Sequence, residues 1–183
     1  YLGLICVKTK REDEALLLFN KSIKINPLDA IALNNLGLIS INKKNYKKAK
    51  ELFLQAIKIS KNAKSYFYLG QIYTELNNYK KAIQFYKNSI EINNNEESLC
   101  NLGNLLYIMG DLENAKKYTN EAIKINPKLE IAYNNLGLIN LAYGEANKAK
   151  SNFLKTIEIN PRHVKAHYNL SSINDYSKED LNK

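Results

Sequence analysis

Asn35-Leu36-Gly37, with its returns at Asn101-Leu102-Gly103 and Asn135-Leu136-Gly137, decides the fold, because the motif comes back at nearly constant spacing. Leucine precedes glycine at Leu2-Gly3, Leu36-Gly37, Leu69-Gly70, Leu102-Gly103 and Leu136-Gly137, and Leu170-Ser171 continues the series with serine. The steps are 34, 33, 33, 34 and 34 residues. Twelve residues after each glycine stands an alanine, at Ala15, Ala49, Ala82, Ala115 and Ala149. Four residues on comes an aromatic, Phe19, Phe53, Tyr86 and Phe153, replaced once by Thr119 beside Tyr118. Isoleucine then recurs at Ile23, Ile57, Ile90, Ile123 and Ile157, each behind Ser22, Ala56, Ser89, Ala122 or Thr156. A fixed period of this length is the mark of stacked repeats, each too small to bury its apolar face alone.

Within one period the apolar residues fall at helical spacing twice. Ala32, Leu33, Leu36 and Ile39 predict a first helix; Ala49, Leu52, Phe53, Ala56 and Ile57 predict a second, after a turn at Asn42-Lys43-Lys44-Asn45. Asn78 before Tyr79, and Gly110-Asp111 before Leu112, supply capping side chains for the second helices. Pro27, Pro127 and Pro161 close three units and are expected to stop the preceding helix. The two units that close through Ser60-Lys61 and Asn93-Asn94 lack that proline and are one residue shorter. Gly37 is expected to face Ala49, so that two small residues let the backbones approach, with Phe53 and Tyr86 filling the outer wedge.

This pattern of Leu-Gly, Ala, aromatic, small residue and Pro resembles the tetratricopeptide repeat, from Leu2 to about Ser172. The resemblance implies an all-α protein, an α–α superhelix of about five and a half helix-turn-helix repeats. The units are 1–29, 30–62, 63–95, 96–129 and 130–163, followed by a last first-helix over 164–174 and a tail or the start of another domain over 175–183. Leu2-Gly3 falls in the middle of a helix, so the array is expected to begin before Tyr1 and its first helix pair to fray.

In the family the first helices line a concave face. Two residues before each glycine that face presents Asn35, Tyr68, Asn101, Asn135 and Asn169. An amide at regular pitch donates to carbonyls and accepts from N–H groups, which suits an extended peptide. The row resembles the asparagine ladder of the protein O-GlcNAc transferases, broken here by Tyr68; asparagine is also simply abundant in this chain. Phe67, Tyr68, Tyr107 and Tyr168 are candidate apolar pockets, and Lys64, Asn34, Gln71, Asn104, Asn134 and Lys165 candidate polar contacts. A rival is the carboxylate clamp by which related domains hold chaperone C-termini. Asn104, Asn135 and Lys165 match it, but Cys100 and Asn169 stand where it needs cations. Two charge-assisted bonds, each worth roughly 1.5–3 kcal/mol, would be missing.

The 183 residues are 45% hydrophobic and 25% charged, as in one ordered globular chain, and contain no apolar run of transmembrane length. Cys6 and Cys100, with no CxxC spacing, form neither a disulfide framework nor a zinc site and fit a reducing, cytoplasmic compartment. The net charge of +9 rests on 25 lysines against two arginines, alongside 27 asparagines, a mixture that AT-rich codons supply. Lys43-Lys44, Lys47-Lys48, Lys80-Lys81 and Lys116-Lys117 map to turns and second helices, so specific nucleic-acid reading is not expected. His163 and His167 have chelating spacing but no carboxylate or thiol nearby in sequence, and His167 reads as an interhelix packing residue. No nucleophile, phosphate-loop or HExxH motif is present. The sequons at Asn20 and Asn169 fall inside predicted helices. The expectation is a scaffold for a protein or peptide, with no catalysis, no metal and no cofactor of its own. The C-terminal run from Ala166 through Asp180 is similar to the junction where bacterial arrays lead into a sulfotransferase domain. That resemblance implies the alternative of a substrate-recruiting arm for a transferase.

Overall fold

The computed structural model describes residues 11–179, which form ten helices and no strand. Leu2-Gly3, Cys6 and the opening half-repeat lie outside the described residues. The chain divides between Asn93 and Asn94 into two compact units. The first contains α1 (Glu12–Ile25), α2 (Ala30–Asn42), α3 (Tyr46–Ile59), α4 (Ala63–Glu75) and α5 (Tyr79–Ile92). The second contains α6 (Glu96–Ile108), α7 (Leu112–Ile125), α8 (Glu130–Ala142), α9 (Ala146–Ile159) and α10 (Val164–Glu179). Within each unit, helices adjacent in sequence pack as antiparallel hairpins. The last helix runs on past position 174, through Asp175 to Glu179.

Every complete first helix has 13 residues and every second helix 14. The first helices all stop by the same device. Lys44, Asn77, Gly110 and Gly144 adopt left-handed backbone with φ of 57°, 55°, 82° and 74°. The next residue's N–H then reaches back to Ser40, Tyr73, Leu106 or Asn140 carbonyl at 2.8–2.9 Å. This paired closure satisfies carbonyls that the helix end would otherwise orphan, and glycine suits it best because a Cβ clashes in that region. Asn45, Asn78 and Asp111 then cap the following helix through the N–H of Lys48, Lys81 and Asn114, as the sequence predicts.

Proline does not set the end of the second helix. The helices end at Ile25, Ile125 and Ile159 before an extended asparagine and then Pro27, Pro127 or Pro161. They end equally at Ile59 and Ile92, where Ser60 and Asn93 take the same extended conformation with no proline following. The proline therefore shapes the link to the next unit rather than terminating the helix.

The ring, expected in the outer wedge, lies directly over the glycine. The nearest atoms to a Cβ on Gly37 would be those of the Phe53 ring, at 2.7 Å; on Gly70 they would be those of Tyr86, at 2.6 Å, and on Gly137 those of Phe153. The glycine is thus a socket for the aromatic ring, which is buried over it in all three hairpins. Where Thr119 replaces the ring, its Oγ1 lies 2.4 Å from that point and the Ala115 carbonyl closes to 3.1 Å. In the first unit the socket joins a core of Ala15, Phe19, Leu33, Leu36, Ile39 and Leu52.

Candidate functional site

Two surfaces compete for the role of binding site: the face of the first helices, and a groove beside the second helices. The candidate ladder occupies the first. Asn35 is half-buried and donates to the Ile31 carbonyl one turn back, at 2.7 Å. Asn135 is 7% exposed and donates to the Cys100 sulfur at 3.4 Å. Asn169 donates to Asn134 Oδ1 at 3.2 Å. Asn101 and Asn104 are half-buried on α6, and Lys165 is exposed on α10. In the second unit the residue two before the glycine position bonds to the residue three before it in the preceding repeat. Part of the asparagine row is therefore inter-repeat stitching, most fully at Asn135. That residue is corrected from an open contact to a buried one, bonded to Cys100 of the preceding repeat.

Phe67 is likewise corrected. It is 8% exposed and packs on Tyr68 at 5.2 Å and on Tyr86 at 6.2 Å, so it belongs to the core and offers no surface pocket. Tyr68 is half-buried, its ring stacked 5.3 Å from Phe53. Tyr168 is 73% exposed and Tyr107 half-buried. Among the clamp positions, Cys100 is 4% exposed, and burial pushes its thiol up to about 12, against which the Asn135 hydrogen bond pulls only partly. A neutral buried thiol there removes the cation the clamp requires.

His167 is exposed rather than packed between helices, and a ring nitrogen lies 2.9 Å from the Pro161 carbonyl. Tyr133, one repeat earlier, places its hydroxyl on the Pro127 carbonyl in the same way, at 3.3 Å. His163 caps α10 by accepting the Ala166 N–H on Nδ1. Among the described residues no group of three metal-ligating side chains converges. None of their helices is long and apolar enough to cross a membrane.

The second surface was not legible as a site. In the second unit a groove of about 320 Å³ runs between α7 and α9, floored by Leu136 and Asn140 of α8. Its walls carry Lys116 and Asn120 on one side and Lys148, Ser151 and Asn152 on the other. At the rim Glu145 meets Lys148 at 2.7 Å and Lys116 at 3.6 Å. The Lys148 hydrogen bond, with a smaller contribution from Lys116, holds the Glu145 carboxyl below the usual range. Asn140 is 3% exposed and its Oδ1 has no hydrogen-bond partner among the described residues. A buried unsatisfied acceptor costs about 1–3 kcal/mol. The sequence signal was available three residues after the glycine, where Ser40, Tyr73, Leu106 and Asn140 stand and only the last places an amide.

Helical hairpins repeated at this period, joined by left-handed turns and locked by a ring in a glycine socket, define the class of all-α helical-repeat proteins. Tetratricopeptide-repeat models match residues 2–27, 28–95, 96–129 and 131–163. The chain belongs to the tetratricopeptide repeat family. Among solved structures it is similar to YrrB, described as a TPR protein with an unusual peptide-binding site, at 24% identity and a TM-score of 0.74. That match covers 91% of this chain and 87% of the other. MamA from Desulfovibrio magneticus RS-1 matches at 18% identity and a TM-score of 0.76 over 88% of this chain and 93% of that one. A chain of the APC/C hetero-tetramer Cut9-Hcn1 matches at 17% and 0.83 over 97% of this chain and 36% of that one. These likenesses establish the fold. No curated protein sequence matches the chain.

Proposed function

We propose that the chain is a protein-interaction scaffold that holds an extended peptide along the first-helix face of its units. The observation that carries this reading is the orientation of the amides. Asn169 and Asn35 each commit one N–H to an internal partner and stay only half-buried. An amide has a second N–H and a carbonyl with two lone pairs, so each keeps hydrogen-bonding capacity in a fixed direction. Asn101 and Asn104, one turn apart on α6, extend that capacity in the second unit. Tyr168, with Lys165 on the same helix, supplies an aromatic surface and a cation. Asn135 acts as the anchor of this register and not as a contact. The partner is a protein or peptide, and the chain does no chemistry on it. The alternative of a recruiting arm for a transferase has no supporting observation among the described residues.

The test is selection of a random-peptide display library on the chain and on the Asn35→Ala, Asn101→Ala, Asn169→Ala triple variant, with helicity checked by circular dichroism. Asn135 stays untouched because its loss would perturb the core. Enrichment that disappears in the folded variant supports the ladder. Enrichment equal in both chains, or absent from both, removes it.

A further inference from the structure

The groove beside α9 does not end at Ser151 and Asn152. A neighbouring cavity of about 420 Å³ shares Ser151 and Asn152 with it and continues past Tyr133, Leu154 and the Lys155–Glu158 ion pair, closed at 2.7 Å. The space is therefore elongated along one helix, as an extended occupant requires. The corresponding place in the first unit is filled. Counting from the glycines, Leu54, Tyr73 and Phe85 stand where Asn120, Asn140 and Asn152 stand in the second unit, while Lys50 and Lys81 match Lys116 and Lys148. Tyr73 stacks on Phe85 at 5.2 Å with 9° between planes, and Lys81 Nζ caps the Tyr73 ring at 5.3 Å. Exchange of three large apolar side chains for three amides leaves a hydrogen-bonding trough with the two ammonium groups kept at its edge.

Glu145 shows what those ammonium groups can do. Its two carboxylate oxygens engage Lys148 and Lys116 at once, so one carboxylate at this place bridges both lysines. The Lys148 partner is a solvent-exposed i,i+3 pair, of the kind that contributes little and rearranges readily. Two lysines against one glutamate leave the rim with an excess positive charge. Along the walls, Asn120 and Asn152 are half-buried amides, and an amide can both donate to and accept from a peptide backbone.

We propose that this groove docks an acidic peptide segment of a partner protein. One of its carboxylates displaces Glu145 from Lys116 and Lys148, and its backbone bonds to Asn120 and Asn152. This surface is separate from the asparagine row and stands or falls independently of it.

The test is an amide-resolved NMR titration of the full chain with the capped tripeptides acetyl-Ala-Glu-Ala-amide and acetyl-Ala-Gln-Ala-amide at millimolar concentration, and with acetate alone. Saturable shifts at the amides around Asn120, Asn140 and Ser151 are expected with the glutamate peptide and weaker ones with the glutamine peptide. Glu145→Gln, which removes the internal competitor, should tighten the glutamate peptide by roughly two- to fivefold, the factor an exposed ion pair commands. Asn140→Tyr with Asn152→Phe, which rebuilds the filled groove of the first unit, should abolish the shifts. If that double variant does not fold, the sign of the Glu145→Gln effect decides alone. The assignment is overturned by no shifts, by shifts confined to Asn101 and Asn169, by equal response to both peptides or to acetate, or by weaker binding in Glu145→Gln.

Discussion

The first unit closes the space between successive second helices with Leu54, Tyr73 and Phe85, whereas the second leaves a trough lined by Asn120, Asn140 and Asn152. The helices that frame both spaces have identical lengths, and the glycine socket beneath each holds a buried ring, Tyr86 in one and Phe153 in the other. The repeat is thus specified by a few small and apolar positions. Its neighbouring positions vary from stacked aromatic filling to buried and half-buried amides without loss of the hairpin.

The comparison can be broken from the stable side. Tyr73→Asn should cost about 3 kcal/mol in a urea melt, through loss of the ring's burial and its stack on Phe85. A loss much below 1 kcal/mol would show that the aromatic fill is incidental. From the other side, Asn140→Leu places the residue found at Leu106 and removes the unpartnered acceptor. It should raise stability by about 1–2 kcal/mol. A drop would mean that the amide already satisfies itself in solution.

The units also differ at a helix start. Asp29 caps α2 by accepting the Ala32 N–H at 3.0 Å and the Ser22 hydroxyl at 2.6 Å, whereas Leu129 stands before α8 with no side-chain cap. Leu129→Asp should stabilise the second unit by about 1 kcal/mol at neutral pH. The Ser22 hydrogen bond, and then the Ala32 N–H, hold the Asp29 carboxyl below its ordinary 3.8. A carboxyl depressed on folding stabilises above its unfolded pKa and loses that contribution as pH falls through the folded value. The contribution of the Asp29 cap should accordingly fade in acid titrations below pH 3.8, and Asp29→Asn should flatten that decline; an unchanged slope would show that the cap does not depend on its charge.

The smallest effect lies in mild alkali. Burial raises the Cys100 thiol from 9.0 to about 12 in the second unit and the Tyr86 hydroxyl from 10.0 to about 12 in the first. A group that keeps its proton longer when folded contributes fully below its unfolded pKa, and that contribution is lost as pH rises above it. The second unit should therefore weaken first, by a few tenths of a kcal/mol just past pH 9, and Cys100→Ala should flatten that decline. Identical pH slopes in the two chains would show that the thiol does not couple to folding.

Most of the fold was written in the period. The spacing of Gly37, Ala49, Phe53 and Ile57 places both helices of a unit, and Asn78 and Asp111 mark real starts. What spacing does not carry is how deep the ring sits: Phe53 lies directly over Gly37 and not in the outer wedge. The ladder was visible as a row of asparagines, but its division into buried anchor and exposed contact was not. Asn135 and Asn169 are the same residue at the same register, yet one is 7% exposed and the other half-buried. Phe67 shows the same limit, since an aromatic on a helical face does not disclose its depth. The trough is made by departures from the pattern, at Asn120, Asn140 and Asn152, which a recurring period does not mark.

The left-handed turn has a consequence for heredity. Lys44 and Asn77 hold the same backbone as Gly110 and Gly144, and the second helix that follows always runs the same length. The punctuation therefore tolerates different letters while the reading frame of the structure stays constant. A gene built this way can gain or lose a whole period and still encode matching joints.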